Sequence, residues 1–160
     1  MGKTLQAELK KRRPFDSPQQ EATLAIMRTS DLLTNRIARL LRDYGLTPTQ
    51  YNVLRILRGE GAPMPVSEIG ERMIQVAPAV TRVVDQLVAD GLADKTQSAS
   101  DRRVFHVSIE AAGLELLSRL DQPILSIHET LLTGVDPSDL RQMVGTLQAI
   151  RNAAVAGPGL

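Results

Sequence analysis

The chain has 160 residues, a formal net charge of +1, no cysteine, two Phe, two Tyr and no Trp. That length suits one domain, or one domain with extensions, around a single core, and the missing thiols exclude disulfides, thiolate metal sites and cysteine-based redox sensing. No run approaches the ~18 consecutive apolar residues of a membrane span, and residues 1–13 are polar and basic where a signal peptide would be apolar. The expectation is a cytoplasmic protein with no membrane partner.

The charge is unevenly spread. Residues 1–43 hold nine Lys/Arg against five Asp/Glu, residues 44–109 seven against seven, and residues 110–160 three against six. Within residues 1–17 the run Lys10, Lys11, Arg12, Arg13 reads either as a flexible, solvated terminus or as an arm that touches phosphates.

From Pro18 to about Asp43, Leu33, Ile37, Leu40 and Leu41 recur at helical spacing, and Gly45 stops the helix. Thr47 is placed to cap the next one, with Pro48 at its first position and Gln50 completing a capping box. Val53, Leu54, Ile56 and Leu57 form its buried side, and the cluster from Gly59 to Pro63 ends it. A short helix over Val66–Met73, burying Ile69 and Met73, precedes a longer amphipathic one that ends at Gly91. On that longer helix Val80, Val83, Val84, Leu87 and Val88 face the core. Pro78, Arg82, Asp85, Gln86 and Ala89 face outward, with Thr81 at the flank.

Residues 93–96 and 103–109 alternate as a hairpin, with Phe105, Val107 and Ile109 on one face and a small, polar loop over residues 97–102. Helix, turn, helix, hairpin is the order of a winged helix-turn-helix, whose second helix enters the DNA major groove. Beyond Glu110 the chain returns to helix through Pro123, closes at Gly134, restarts at Asp136-Pro137 and continues to about Ala154, followed by a loose tail. These terminal helices are apolar on more than one side, which calls for a partner; a second copy is the commonest. The fold class is thus mainly α with a small β-hairpin. Residues 18–45 and 111–154 form a helical dimerisation region, residues 46–110 a winged helix-turn-helix, residues 1–17 a flexible basic arm and residues 155–160 a loose tail.

Over about residues 20–154 the sequence resembles the MarR family of bacterial and archaeal transcriptional regulators. LTPTQYNVLRIL (Leu46–Leu57) looks like the family's second helix and APAVTRVVDQLVADGL (Ala77–Leu92) like its recognition helix. Asp101-Arg-Arg103, followed by Val107, Ile109 and Ala111-Ala-Gly113, is similar to its wing signature. The resemblance implies a homodimer with interlocking terminal helices on pseudo-palindromic double-stranded DNA, acting as a repressor. It also implies that a small-molecule effector, often an aromatic acid or phenol, releases the DNA.

Two departures stand out. Val76 occupies the place of a serine cap, and Ala77 and Ala79 occupy first-turn positions where the family often has Thr or Ser. Both thin out polar contacts to DNA.

The expected DNA-binding residues are Gln75, Pro78, Thr81, Arg82, Gln86, Asp101, Arg102 and Arg103. Arg82 offers a fork that matches a guanine edge or a phosphate. By resemblance, Arg103 is the wing residue inserted in the minor groove, and Asp101 braces the loop by pairing with an arginine. Tyr44 and Tyr51 are the candidate effector-pocket residues, by resemblance, although core packing explains them as well. His106 and His128 lack companion ligands, so neither metal nor cofactor is expected. With no phosphate loop and no nucleophile beside a histidine, the chain does not read as an enzyme. The competing reading is a winged-helix module that binds protein and not DNA.

Overall fold

Helix boundaries fall where capping chemistry puts them. The computed structural model describes residues 2–75 and 80–156. In chain order the elements are α1 (Leu5–Glu8), α2 (Pro18–Arg42), α3 (Pro48–Glu60), β1 (Met64–Pro65), α4 (Val66–Glu71) and α5 (Val80–Ala89). They continue with β2 (Ala93–Gln97), β3 (Phe105–Ile109), α6 (Ala111–Leu131) and α7 (Pro137–Ala156).

The capping box at α3 forms as read. Thr47 Oγ1 accepts the Gln50 N–H at 3.2 Å, and Gln50 Oε1 accepts the Thr47 N–H at 2.9 Å. Both reciprocal bonds satisfy donors that a helix N-terminus otherwise leaves bare. At the other end of α2, Gly45 takes φ +74°. The Leu46 N–H then reaches the Leu41 carbonyl at 3.0 Å and the Gly45 N–H the Arg42 carbonyl at 3.0 Å. Gly91 repeats the device after α5, with φ +70° and the Leu92 N–H on the Leu87 carbonyl at 2.9 Å. A side chain at either glycine would strain this left-handed turn.

The chain divides into two compact units, residues 1–125 and 126–160. The buried hydrophobic cluster lies entirely in the first. Val53, Leu54 and Leu57 of α3 meet Ile69 of α4, Val84 and Leu87 of α5, Val107 of β3 and Leu117 and Leu120 of α6 there. Val80, Val83 and Val88 pack partly buried against it, while Thr81, Arg82, Asp85, Gln86 and Ala89 stay exposed. The two faces of α5 are those expected from the sequence.

Three expectations change. The sheet has three strands, in the order β1-β3-β2. Met64 and Pro65 pair antiparallel with Val107 and His106. Two residues carry no alternation to detect, and Pro65 is tolerated because β1 is an edge strand. The first helix of the motif stops at Glu71, so Met73 lies beyond it and is only partly buried. Finally, the segment read as a loose arm contains one helical turn, α1, capped by Thr4.

The second unit holds the end of α6, a turn at Gly134 (φ +84°) and α7. Asp136 Oδ1 accepts the Ser138 N–H at 2.7 Å and its hydroxyl at 2.5 Å, which opens α7. No residue of α7 is buried, and Met143, Val144, Ile150 and Val155 are exposed. The apolar surplus seen in the sequence is present, and it is uncovered in the single chain.

A bidentate ion pair ties α3 to α6: Arg58 Nη1 and Nη2 meet Asp121 Oδ2 and Oδ1 at 3.0 and 2.8 Å. The guanidinium holds the Asp121 carboxyl below its ordinary value of 3.8. A carboxyl lowered in this way adds stability above its unfolded value and loses it as pH falls through the folded one. The Asp121 side chain is 54% exposed, so solvent screening limits the gain. Asp121→Asn should therefore cost only about 0.5 kcal/mol at neutral pH. The wild type should converge on the variant in acid, as pH falls through the lowered folded value and the carboxylate takes up its proton. Urea unfolding at neutral and at acid pH checks this, and a gap that widens on acidification would contradict it.

Candidate nucleic-acid interface

The wing is built by hydrogen bonds that the strand register sets up. β2 and β3 pair antiparallel from Ala93–Ile109 to Gln97–Phe105. One step further, the Ser98 N–H reaches the Val104 carbonyl at 2.9 Å and the Val104 N–H reaches the Asp101 carbonyl at 3.0 Å. Ser98 Oγ accepts the N–H of Ser100 at 3.3 Å and of Asp101 at 3.4 Å. Gln97 Nε2 donates to the Arg102 carbonyl at 2.6 Å. These bonds hold a small, exposed loop in one shape.

Asp101 braces this loop by a route other than the expected one. Its Oδ1 accepts the backbone N–H of Arg103 at 2.9 Å, and it makes no ion pair among the described residues. An aspartate that bonds two residues ahead fixes the turn and spares the guanidinium. Arg102 and Arg103 are exposed and ion-paired to nothing among the described residues. Arg58 and Arg72 are different. Arg72 is held by Glu60 at 2.5 Å and Glu68 at 3.3 Å, clasping α4 to the end of α3.

On α5, Arg82 is likewise exposed and unpaired among the described residues. Gln86 Nε2 donates to Asp90 Oδ1 at 2.9 Å, so its amide is already half engaged. Thr81 and Gln75 are exposed. Pro78, with Val76, Ala77 and Ala79, lies outside the described residues.

Lys95 is the residue that sequence reading missed. From β2 its Nζ reaches Asp85 Oδ1 on α5 at 2.7 Å and sits 4.7 Å from the centre of the Phe105 ring. It neutralises a carboxylate on the outward face of α5 and pins the base of the wing to that helix. No local pattern marks a lysine ten residues after an aspartate. Only the reversal of the chain at Gly91 brings it back.

Tyr44 and Tyr51 pack, half-buried, against the hydrophobic core. Burial pushes the Tyr51 phenol above its ordinary 10.0, against the opposing pull of Arg55 and Arg58, so it stays neutral at physiological pH. Neither tyrosine lines the open groove between α2 and the end of the helix-turn-helix connection. Ile26, Met27, Ser30, Asp31, Thr34 and Gln75 line it. Among the described residues no group of His, Asp or Glu could hold a metal ion, and no helix is long and apolar enough to cross a membrane.

The sequence and the fold have counterparts among known proteins. The chain is 33% identical to a MarR transcription factor from Planctomyces limnophilus, whose structure matches 85% of this chain and 99% of that one with a TM-score of 0.66. The chain belongs to the MarR family. The MarR family profile matches residues 46–105, from the N-terminus of α3 into β3. The transcriptional repressor IacR of Pseudomonas putida is 26% identical over 117 residues, covering 73% of this chain and 70% of that protein. MepR of S. aureus, solved as a complex with DNA, shares the fold at 16% identity, with a TM-score of 0.73 over 82% of this chain and 96% of MepR. As a MarR protein the chain is a transcriptional regulator, and its winged helix-turn-helix is the one those structures share.

Proposed function

We propose that the protein is a homodimeric repressor that binds a pseudo-palindromic operator through α5 and the wing, and that a small molecule releases it. The observation that carries this reading is the wing tip. Two adjacent arginines stand exposed, and unpaired among the described residues, on a loop held by its own hydrogen bonds. With the loop already held, only the side chain itself has to be ordered when it enters a narrow minor groove. Arg82 is the base- or phosphate-contacting residue of α5, with Thr81, Gln75 and Gln86 as helpers. Pro78, outside the described residues, and Asp101, inside the wing, complete the proposed set. The uncovered apolar surface of α7 supports a dimer made with a second copy. Tyr44 and Tyr51 are the proposed effector neighbours, with the neutral Tyr51 phenol able to donate to an acidic ligand.

Selection of bound sequences from random duplex, with the affinity followed over a salt series, tests the reading. The expected result is an inverted repeat with half-sites about 10 bp apart. The log-affinity should also fall steeply with log-salt, by about 0.9 for each phosphate neutralised. Finding no salt-dependent affinity for any duplex would favour the protein-binding module instead.

A further inference from the structure

The basic run Lys10, Lys11, Arg12, Arg13 is not used by the interface described above, and the sequence leaves it open between a solvated end and a phosphate contact. In the structure it is presented, not frayed. After α1 the chain folds back on itself. The Lys10 N–H meets the Ala7 carbonyl at 3.2 Å, and the Lys11 N–H meets the Gln6 carbonyl at 3.0 Å. Gln6 Nε2 donates to the Lys11 carbonyl at 3.3 Å. Lys10 itself takes φ +50°, a left-handed conformation that a lysine keeps only when its neighbours hold it there. Lys11 Nζ lies 5.5 Å from the centre of the Phe15 ring. Among the described residues none of the four cations has an acidic partner.

A side-chain contact ties the arm to α2. The acid of α1, Glu8, lies 3.8 Å from Arg28 on α2. Arg28 is also 4.0 Å from Asp31. Asp31 and its neighbours Ile26, Met27, Ser30 and Thr34 form one side of the groove whose other side is Gln75, five residues before the start of α5 at Val80. The arm is therefore tied, through Glu8 and Arg28, to the stretch of α2 that lines this groove. Residues 44–109 are charge-neutral, with seven basic and seven acidic side chains, and residues 1–43 are where the cations are in excess.

We propose that Lys10, Lys11, Arg12 and Arg13 form a second DNA contact, a sequence-independent clamp on the phosphates that flank the site read by α5 and the wing. This rests on the DNA-binding reading and extends it. It supplies the backbone attraction that the neutral helix-turn-helix lacks.

The test uses the full chain with all four residues changed to Gln. Affinity is measured across a salt series on the duplex selected by the wild type and on a random duplex of equal length. Neutralising four contacts should make the log-log salt slope shallower by about 2–4. Near 0.15 M salt, affinity for both duplexes should fall by about tenfold or more, and the ratio between them should hold. Lys10→Arg with Lys11→Arg, which keeps the charge, should retain the wild-type slope. An unchanged slope in the Gln variant overturns the clamp, as does a loss confined to the selected duplex. Weaker self-association of the variant in sedimentation velocity also overturns it, because the arm would then be a contact between copies. A wild type that binds no duplex removes the DNA-binding reading itself, an outcome distinct from a wild type that binds and a variant that matches it.

Discussion

Replacing Arg82 and Arg103 together with Ala should lower affinity for the selected operator by about 10²-fold or more, with folding and self-association unchanged. A well-placed arginine contact to a base edge contributes about 1–3 kcal/mol, and each 1.4 kcal/mol is a factor of ten. Both side chains are exposed and unpaired among the described residues, so truncation removes no internal ion pair. The wing also keeps its shape, since the bond from Asp101 goes to the backbone N–H of Arg103 and survives the change. A mobility shift at low salt reads the affinity, and thermal unfolding together with sedimentation velocity reads the rest. Affinity within about threefold of wild type would remove these two residues from the interface. Arg72→Ala, in which the lost side chain clasps Glu60 and Glu68, is the contrasting control, because its effect should fall on stability.

What could be read from the chain alone follows from the range of the interactions involved. The capping box at Thr47 and Gln50, the stops at Gly45 and Gly91 and the two faces of α5 are all set within one or two helical turns. They appear in the structure as read. The hairpin was legible because Phe105, Val107 and Ile109 alternate. β1 was not, because two residues cannot alternate and its pairing with β3 spans about forty residues of chain.

The interface shows the same division. The exposure of Arg82 and of the wing arginines was legible from their positions in local patterns. The means of holding the wing were not: Lys95 bound to Asp85 depends on the chain reversal after α5, and Gln97 bound to the Arg102 carbonyl on how the hairpin closes. The role of Asp101 was seen, but its partner was misassigned. A turn aspartate two residues before an arginine can reach either the side chain or the backbone, and the closed wing selects the backbone.

Gly113→Ala should be strongly destabilising, costing about 3 kcal/mol. Gly113 lies in the first turn of α6 and is buried. A Cβ there would run into the Leu92 carbonyl oxygen and lie 2.8 Å from Ile109 Cγ1. Neither neighbour has room to give. The Leu92 carbonyl accepts the Glu110 N–H at 3.0 Å, the bond that joins the end of β3 to the turn behind α5. Ile109 is fixed by its pairing with Ala93. Relief requires α6 to move away from the sheet, and Leu116, Leu117 and Leu120 would lift out of the core with it. At fixed protein concentration the melting temperature should drop by roughly 6–12 °C, taking 2–4 °C per kcal/mol for a chain of this size. The glycine of the Ala111-Ala-Gly113 signature is therefore a packing requirement at the point where recognition helix, wing and long helix meet. If Gly113→Ala melts within about 2 °C of wild type, α6 does not approach Leu92 as closely as this geometry requires.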